Sequence, residues 1–201
     1  MPRSSDATRR ALLDAAERRF AADGITGATF TDITADAGQR NNSAVQYHFG
    51  DRTGLLEAVT ARRVGQLRAA RDGLIDQLPE APTMRDLMRV IVQPLADMLE
   101  EPGGAAYLCI QADLLAHPAR DELSPMLAEP WARPGLERVF ERFGADFPAE
   151  RADPPLRAIL ITTLIFHALA DRSRTAAAED HARFVEALID AATAVAQLSG
   201  D

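Results

Sequence analysis

Apolar residues recur every three to four positions along most of this chain, and clusters of Pro and Gly separate the runs. That pattern predicts helices joined by short turns. Leu12, Leu13, Ala16 and Phe20 form one stripe, which predicts a first helix from Ser5 to Gly24. Thr29-Phe30-Thr31-Asp32 reads as a capping box, with Thr29 accepting from the Asp32 N–H and the Asp32 carboxylate reaching back. The helix it opens runs to Ala37, and Gly38 is its left-handed stop. A polar turn, Gln39-Arg40-Asn41-Asn42, leads into a short third helix ending near Phe49. Asp51 then caps a long fourth helix reaching Leu78.

Pro79-Glu80-Ala81-Pro82 interrupts the pattern. A fifth helix is expected from Thr83 to Glu100, kinked or split at Pro94, which lacks a helical N–H. After Glu101-Pro102-Gly103-Gly104, a sixth should run from Ala105 to about His117. Prolines 118, 125, 130 and 134 restrict the stretch 118–134 to short helical pieces. Further helices are expected from Gly135 to Phe143, near 154–174 and near 178–198. No strand and no internal repeat is legible. The fold class is therefore all-α, with a small domain over residues 1–52 and a larger one over 53–201. The helix near 51–78 connects them.

Three short helices need a shared core, and Phe20, Phe30, Ile33, Ala37, Val45, Phe49 and Leu56 can supply it. Val45 and Phe49 are four apart, so they share one face of the third helix. Ser43, Gln46 and Tyr47 then share the other. That face is polar, uncharged and aromatic, which suits a surface lying in a DNA major groove. Gln46 can pair bidentately with adenine, and Asn42 has the same capacity. Tyr47 can meet a thymine methyl or a phosphate. Thr29 and Thr31 sit where helix N–H groups favour an anion. Arg40 and Asn41 lie in the turn, His48 and Arg52 flank the far side, and Arg3 is a candidate minor-groove arm. An ordinary solvated surface is the plain alternative for Gln46 and Tyr47, and packing or capping for His48.

Charge sharpens this picture. The 201 residues carry a net charge of −8, which argues against a general nucleic-acid coat. Residues 1–52, however, hold seven arginines and seven acids, so the whole deficit lies in the remainder. An acidic body repels DNA while a neutral head can approach it. Cys109 is the only cysteine, so no intrachain disulfide can form and a reducing cytoplasm fits. The richest apolar stretch, Leu156 to Leu169, is interrupted by Thr162, Thr163 and His167, and the N-terminus carries no signal-peptide core. A cytoplasmic protein, nucleoid-associated when DNA-bound, is the expectation.

The run Gly24-Ile25-Thr26-Gly27-Ala28-Thr29-Phe30-Thr31-Asp32-Ile33-Thr34-Ala35-Asp36-Ala37-Gly38, continuing through Asn42-Ser43-Ala44-Val45-Gln46-Tyr47-His48-Phe49 and Arg52-Thr53-Gly54-Leu55-Leu56, resembles the DNA-binding domain of the tetracycline-repressor (TetR) family. The preceding Arg9, Arg10, Leu12, Ala16 and Phe20 match as well. The resemblance covers roughly residues 5–60. It implies a helix-turn-helix head, a ligand-binding and dimerising helical body, and a repressor released from a near-palindromic operator by a small molecule. Two features depart from the family. The turn between Gly38 and Val45 is one residue longer than usual, and Gln46 and His48 stand where Tyr is common. Operator sequence therefore cannot be carried over.

In the body, the helix near 154–174 is apolar around most of its circumference, and such a helix must be buried on more than one side. Pairing it and the Ala-rich last helix with a second copy would make a four-helix interface, as in the family. Met84, Met88, Met98, Trp131 and Phe140 are candidates to line a pocket for a hydrophobic or amphipathic ligand, with Cys109 and His167 beside them. Core packing accounts for each apolar one individually, and an interfacial role for His167. Cys109, Asp113 and His117 recur every four residues, a spacing that can hold a metal. A buried Cys, an exposed Asp and a helix-end His are the plainer reading, so neither metal nor cofactor is expected. No glycine-rich phosphate loop, nucleophile elbow or nucleophile–base pair is present, so an enzyme is not expected. The alternatives are a helical scaffold that binds no DNA and, more remotely, an all-helical enzyme using His167, Asp171 or the Cys109 group.

Overall fold

The computed structural model describes residues 5–41, 43–118, 136–143, 154–175 and 180–198, and among them every regular element is a helix. The elements are α1 (Ser5–Gly27), α2 (Phe30–Asp36), α3 (Ser43–Phe49), α4 (Arg52–Ile75), α5 (Met84–Asp97), α6 (Gly104–Ala116), α7 (Glu137–Phe143), α8 (Pro154–Arg174) and α9 (His181–Gln197). Residues 119–135, where short helical pieces were expected, lie outside the described residues.

The first helix does not stop at Gly24. Gly24 adopts φ 78 and ψ 165, a conformation open to glycine, and one further helical turn follows to Gly27. The Ala28 N–H closes that turn on the Gly24 carbonyl at 3.1 Å. Gly38 is left-handed as the pattern demands, at φ 66. The cap of α2 differs from a reciprocal box. Thr29 Oγ1 accepts from the Asp32 N–H at 3.1 Å, but the Asp32 carboxylate takes the Thr29 hydroxyl at 2.5 Å instead of the backbone N–H. The full reciprocal box occurs at α5, where Thr83 and Asp86 each receive the other's backbone N–H. The backbone N–H and hydroxyl of Thr83 hold the Asp86 carboxyl below its ordinary range. Pro94 does not split α5. The helix passes through it and narrows into a 3-10 turn, Met98–Glu100. α4 ends earlier than Leu78 because the bonds after Asp76 tighten from four-residue to three-residue spacing.

Apolar packing joins these helices into one continuous core. In the head, Leu12, Phe20, Ile33, Val45 and Leu56 are buried, with Phe30 and Phe49 packed at the edge. In the body, Met88, Leu95, Leu108, Ile165, Leu169 and Ile189 are buried. α6 packs against both α1 and α8, and α5 packs against α4 and α9. Each fully buried large side chain contributes about 1.5–3 kcal/mol, against roughly 0–1 kcal/mol for an exposed ion pair. The core, not the surface charge, therefore carries stability.

One exposed charge cluster still has a readable pH signature. Arg85 reaches Glu186 at 2.7 Å and Asp190 at 2.9 Å, and Arg89 reaches Glu186 at 2.6 Å, tying α5 to α9. Hydrogen bonds from Arg89, then Arg85, pull the Glu186 carboxyl from 4.5 to about 2. A carboxyl lowered on folding stabilises the fold above its unfolded value, and that contribution is lost as pH falls toward the folded value. The melting temperature is expected to drop between pH 5 and pH 2, less steeply in Glu186→Gln. Melts followed by circular dichroism check this, and an unchanged acid limb in the variant would count against the cluster.

Candidate nucleic-acid interface

α3 is started by its own turn. The Asn41 side-chain oxygen accepts the Ser43 N–H at 2.9 Å, and the Asn41 carbonyl accepts the Ala44 N–H at 3.2 Å. The longer turn therefore ends at Ser43. Val45 is fully buried and anchors the inner side. Ser43, Gln46 and Tyr47 are exposed on the other, and Tyr47 is 81% exposed, the most open large apolar residue described. His48 is half-buried, its ring edge-on to Tyr47 at 5.0 Å. Phe49 closes the helix against the core, with the Arg9 guanidinium 5.2 Å from its ring centroid. A helix with its side chains is a rod about 10–12 Å across, which fits the roughly 12 Å width of the major groove.

The rest of the head fixes that rod in place. Arg19 makes a two-pronged ion pair with Asp36 at 2.6 and 2.9 Å, locking α1 to α2, and also reaches Asp23 at 3.3 Å. This partner holds the Asp36 carboxyl below its usual range. Arg52 turns inward instead of flanking the groove face. Its Nη1 donates to the Ile25 carbonyl, and its guanidinium lies 5.6 Å from the Phe30 ring centroid. Thr29 and Thr31 are exposed at the start of α2, with the Thr29 hydroxyl engaged by Asp32. Arg40 is exposed in the turn. Arg9 and Arg10, also exposed, were not among the candidate contacts. The signal available for them was two adjacent arginines one turn into α1. Asn42 and Arg3 lie outside the described residues.

The candidate pocket residues differ in burial. Met88 and Met98 are buried in the core and Met84 is partly buried at its edge. Cys109 is buried, with its Sγ 3.5 Å from the Ser173 hydroxyl. His167 is exposed on α8, its Nδ1 3.0 Å from the Thr163 carbonyl, whereas Met88 and Met98 are buried. Phe140 belongs to α7, and Trp131 lies outside the described residues. Asp113 is not the exposed residue its spacing suggested. Its carboxylate accepts a backbone N–H from α1 at 2.7 Å. Among the described residues no group of three His, Cys, Asp or Glu could hold a metal, and no helix is long and apolar enough to cross a membrane.

No protein-family model and no curated protein matches the sequence. Solved structures do. A protein described as a TetR-family transcriptional regulator from a Rhodococcus species is 21% identical, covers 96% of this chain and 100% of its own, and superposes with a TM-score of 0.58. The chain has the TetR-family fold. SmeT, the repressor of the Stenotrophomonas maltophilia multidrug efflux pump SmeDEF, shares that TetR-family fold at 23% identity, with 96% of this chain and 91% of its own covered and a TM-score of 0.61. NalD, the secondary repressor of the MexAB-OprM multidrug efflux pump in Pseudomonas aeruginosa, aligns at 21% identity over 95% and 96% of the two chains, with a TM-score of 0.61. The TetR-family fold thus spans this chain nearly end to end. It accounts for the helical elements of the body, among the described residues, that follow the resemblance of residues 5–60.

Proposed function

We propose that this chain is a DNA-binding transcriptional regulator, a homodimer that represses from a near-palindromic operator until a small molecule releases it. One observation carries the reading: Ser43, Gln46 and Tyr47 stand exposed on a short helix whose opposite side is sealed by buried Val45. An uncharged hydrogen-bonding face on a rigidly seated rod is what direct base readout requires. The repressor descriptions of SmeT and NalD, which share the fold, support it.

In this reading residues 1–52 form the DNA-binding head and 53–201 the body that dimerises and binds ligand. Gln46 pairs with adenine and Tyr47 meets a thymine methyl or phosphate. Asn42 has the same adenine-pairing capacity, Thr31, Arg40 and His48 contact the backbone, and Thr29, Asn41 and Arg52 chiefly hold the head's shape. The dimer forms through α8 and α9. Leu160 is 46% exposed on α8, and Ala187, Ala191 and Ala194 are exposed on α9, small enough for close approach. Pairing would set two α3 helices about 34–36 Å apart, one DNA turn. The effector is apolar or amphipathic and sits in the body. It must favour a conformation that misfits both half-sites, with couplings of about 1–3 kcal/mol typical of such switches.

Selecting bound duplexes from a random pool with the full-length protein tests the reading directly. Enrichment of a sequence with two related half-sites about ten base pairs apart is the expected result. A pool that emerges unenriched would refute it.

A further inference from the structure

Ile25 is gripped at both of its backbone polar groups by side chains from distant parts of the chain. Its N–H donates to Oδ2 of Asp113, on α6, at 2.7 Å, and its carbonyl accepts from Nη1 of Arg52 at the start of α4. The Gly24 kink makes this possible. With φ at 78, the Ile25 N–H swings out of the helical ladder, and Ile25 is fully buried, so that donor cannot turn to water. A Cβ on Gly24 would lie in van der Waals contact with the same Asp113 oxygen, at 3.4 Å. One turn earlier on α6, the Cys109 Sγ lies 3.5 Å from the Ser173 hydroxyl on α8. α6 thus carries, four residues apart, a contact to α8 and a contact to the head.

We propose that Asp113 is a positioning residue for DNA binding: its carboxylate sets the orientation of the head on α6. This rests on the DNA-reading function above. Arg52 completes the joint from the other side of the same residue, and its guanidinium lies over Phe30 of α2, so a change at Ile25 reaches the helix that precedes α3. A displacement of α6 relative to α1 removes the acceptor and loosens the head on α6. α4 keeps its own ties to α1, Arg62 to Asp14 and Glu17 and Arg63 to Glu17, but no longer fixes the angle by itself.

The test uses the full-length protein and a duplex selected by the wild type. Asp113→Ala is expected to weaken duplex binding about tenfold or more, because a head no longer held through this bond populates the binding orientation less. Amide exchange over residues 22–28 should accelerate by a similar factor, with dimer and body exchange unchanged. Asp113→Asn keeps an oxygen acceptor and is expected to recover most of the affinity, whereas Asp113→Leu, similar in shape but without an acceptor, is expected not to, which separates the bond from mere space-filling. Where the alanine variant fails to fold, Asp113→Ser, too short to reach, takes its place. Binding within twofold of wild type with unchanged exchange at residues 22–28 would overturn the inference and leave the DNA reading standing. A wild type that binds no duplex overturns both, and that first measurement tells the two failures apart.

Discussion

Replacing Gln46 and Tyr47 together by alanine is expected to lower operator affinity about a hundredfold or more, with little change in melting temperature. Each base-reading contact is worth about 1–3 kcal/mol, so two on one short helix together supply about 2–6 kcal/mol. The fold should not register the loss, because both side chains point outward and Val45, with Phe49 at its edge, seals α3 from within. Titration of the selected duplex by fluorescence anisotropy, paired with a thermal melt, separates the two effects. Binding that survives the double change within threefold would remove α3 as the reading element. Each single variant should fall roughly tenfold, and Gln46→Ala should also relax preference at the base pair it reads.

Gly54→Ala is expected to damage both stability and DNA binding. A Cβ at Gly54 would lie 2.1 Å from the Phe49 carbonyl oxygen and 3.3 Å from its carbon, so backbone must move. That carbonyl belongs to the last residue of α3, and the Gly54 N–H is held by the Asp51 cap at 2.9 Å. The first turn of α4 thus sits directly against the end of the reading helix. Overpacking of this kind typically costs about 1–3 kcal/mol, or several degrees of melting temperature in a chain of this size. The same shift tilts α3, so operator affinity should fall as well. Gly65 and Gly73 provide the internal comparison. Both lie in α4 with open space around a Cβ, and alanine there should stabilise by about 0.5–1 kcal/mol. If Gly54→Ala behaved like Gly65→Ala, the close approach of α3 and α4 would be wrong.

Local chemistry was readable in advance wherever it was settled within a few residues. Asp51 caps α4, Gly38 turns left-handed, and the two faces of α3 divide as the four-residue spacing of Val45 and Phe49 requires. The Thr83–Asp86 box was equally local, and its spacing offered the same signal as Thr29–Asp32. What escaped depends on tertiary partners. Nothing near Arg52 announces that its guanidinium turns toward the carbonyl of Ile25, 27 residues away. Nothing near Asp113 points to an N–H 88 residues distant. Gly24 looks like a terminator by residue type, and only the partner waiting on α6 makes it a kink followed by another turn. The burial of the pocket candidates escaped for a related reason. Helical spacing gives a residue's face but not what lies opposite, and His167 and Met98 occupy an outer and an inner face.

The inward turn of Arg52 and the pairing of Arg19 with Asp36 have a consequence for how such a molecule would search a chromosome. Two of the head's cations are already satisfied by the protein, and the body behind them is acidic. General attraction to a polyanion is correspondingly weak. A dimer built this way would rarely linger on unrelated sequence, so a modest number of copies per cell could stay unbound until the right half-sites come past.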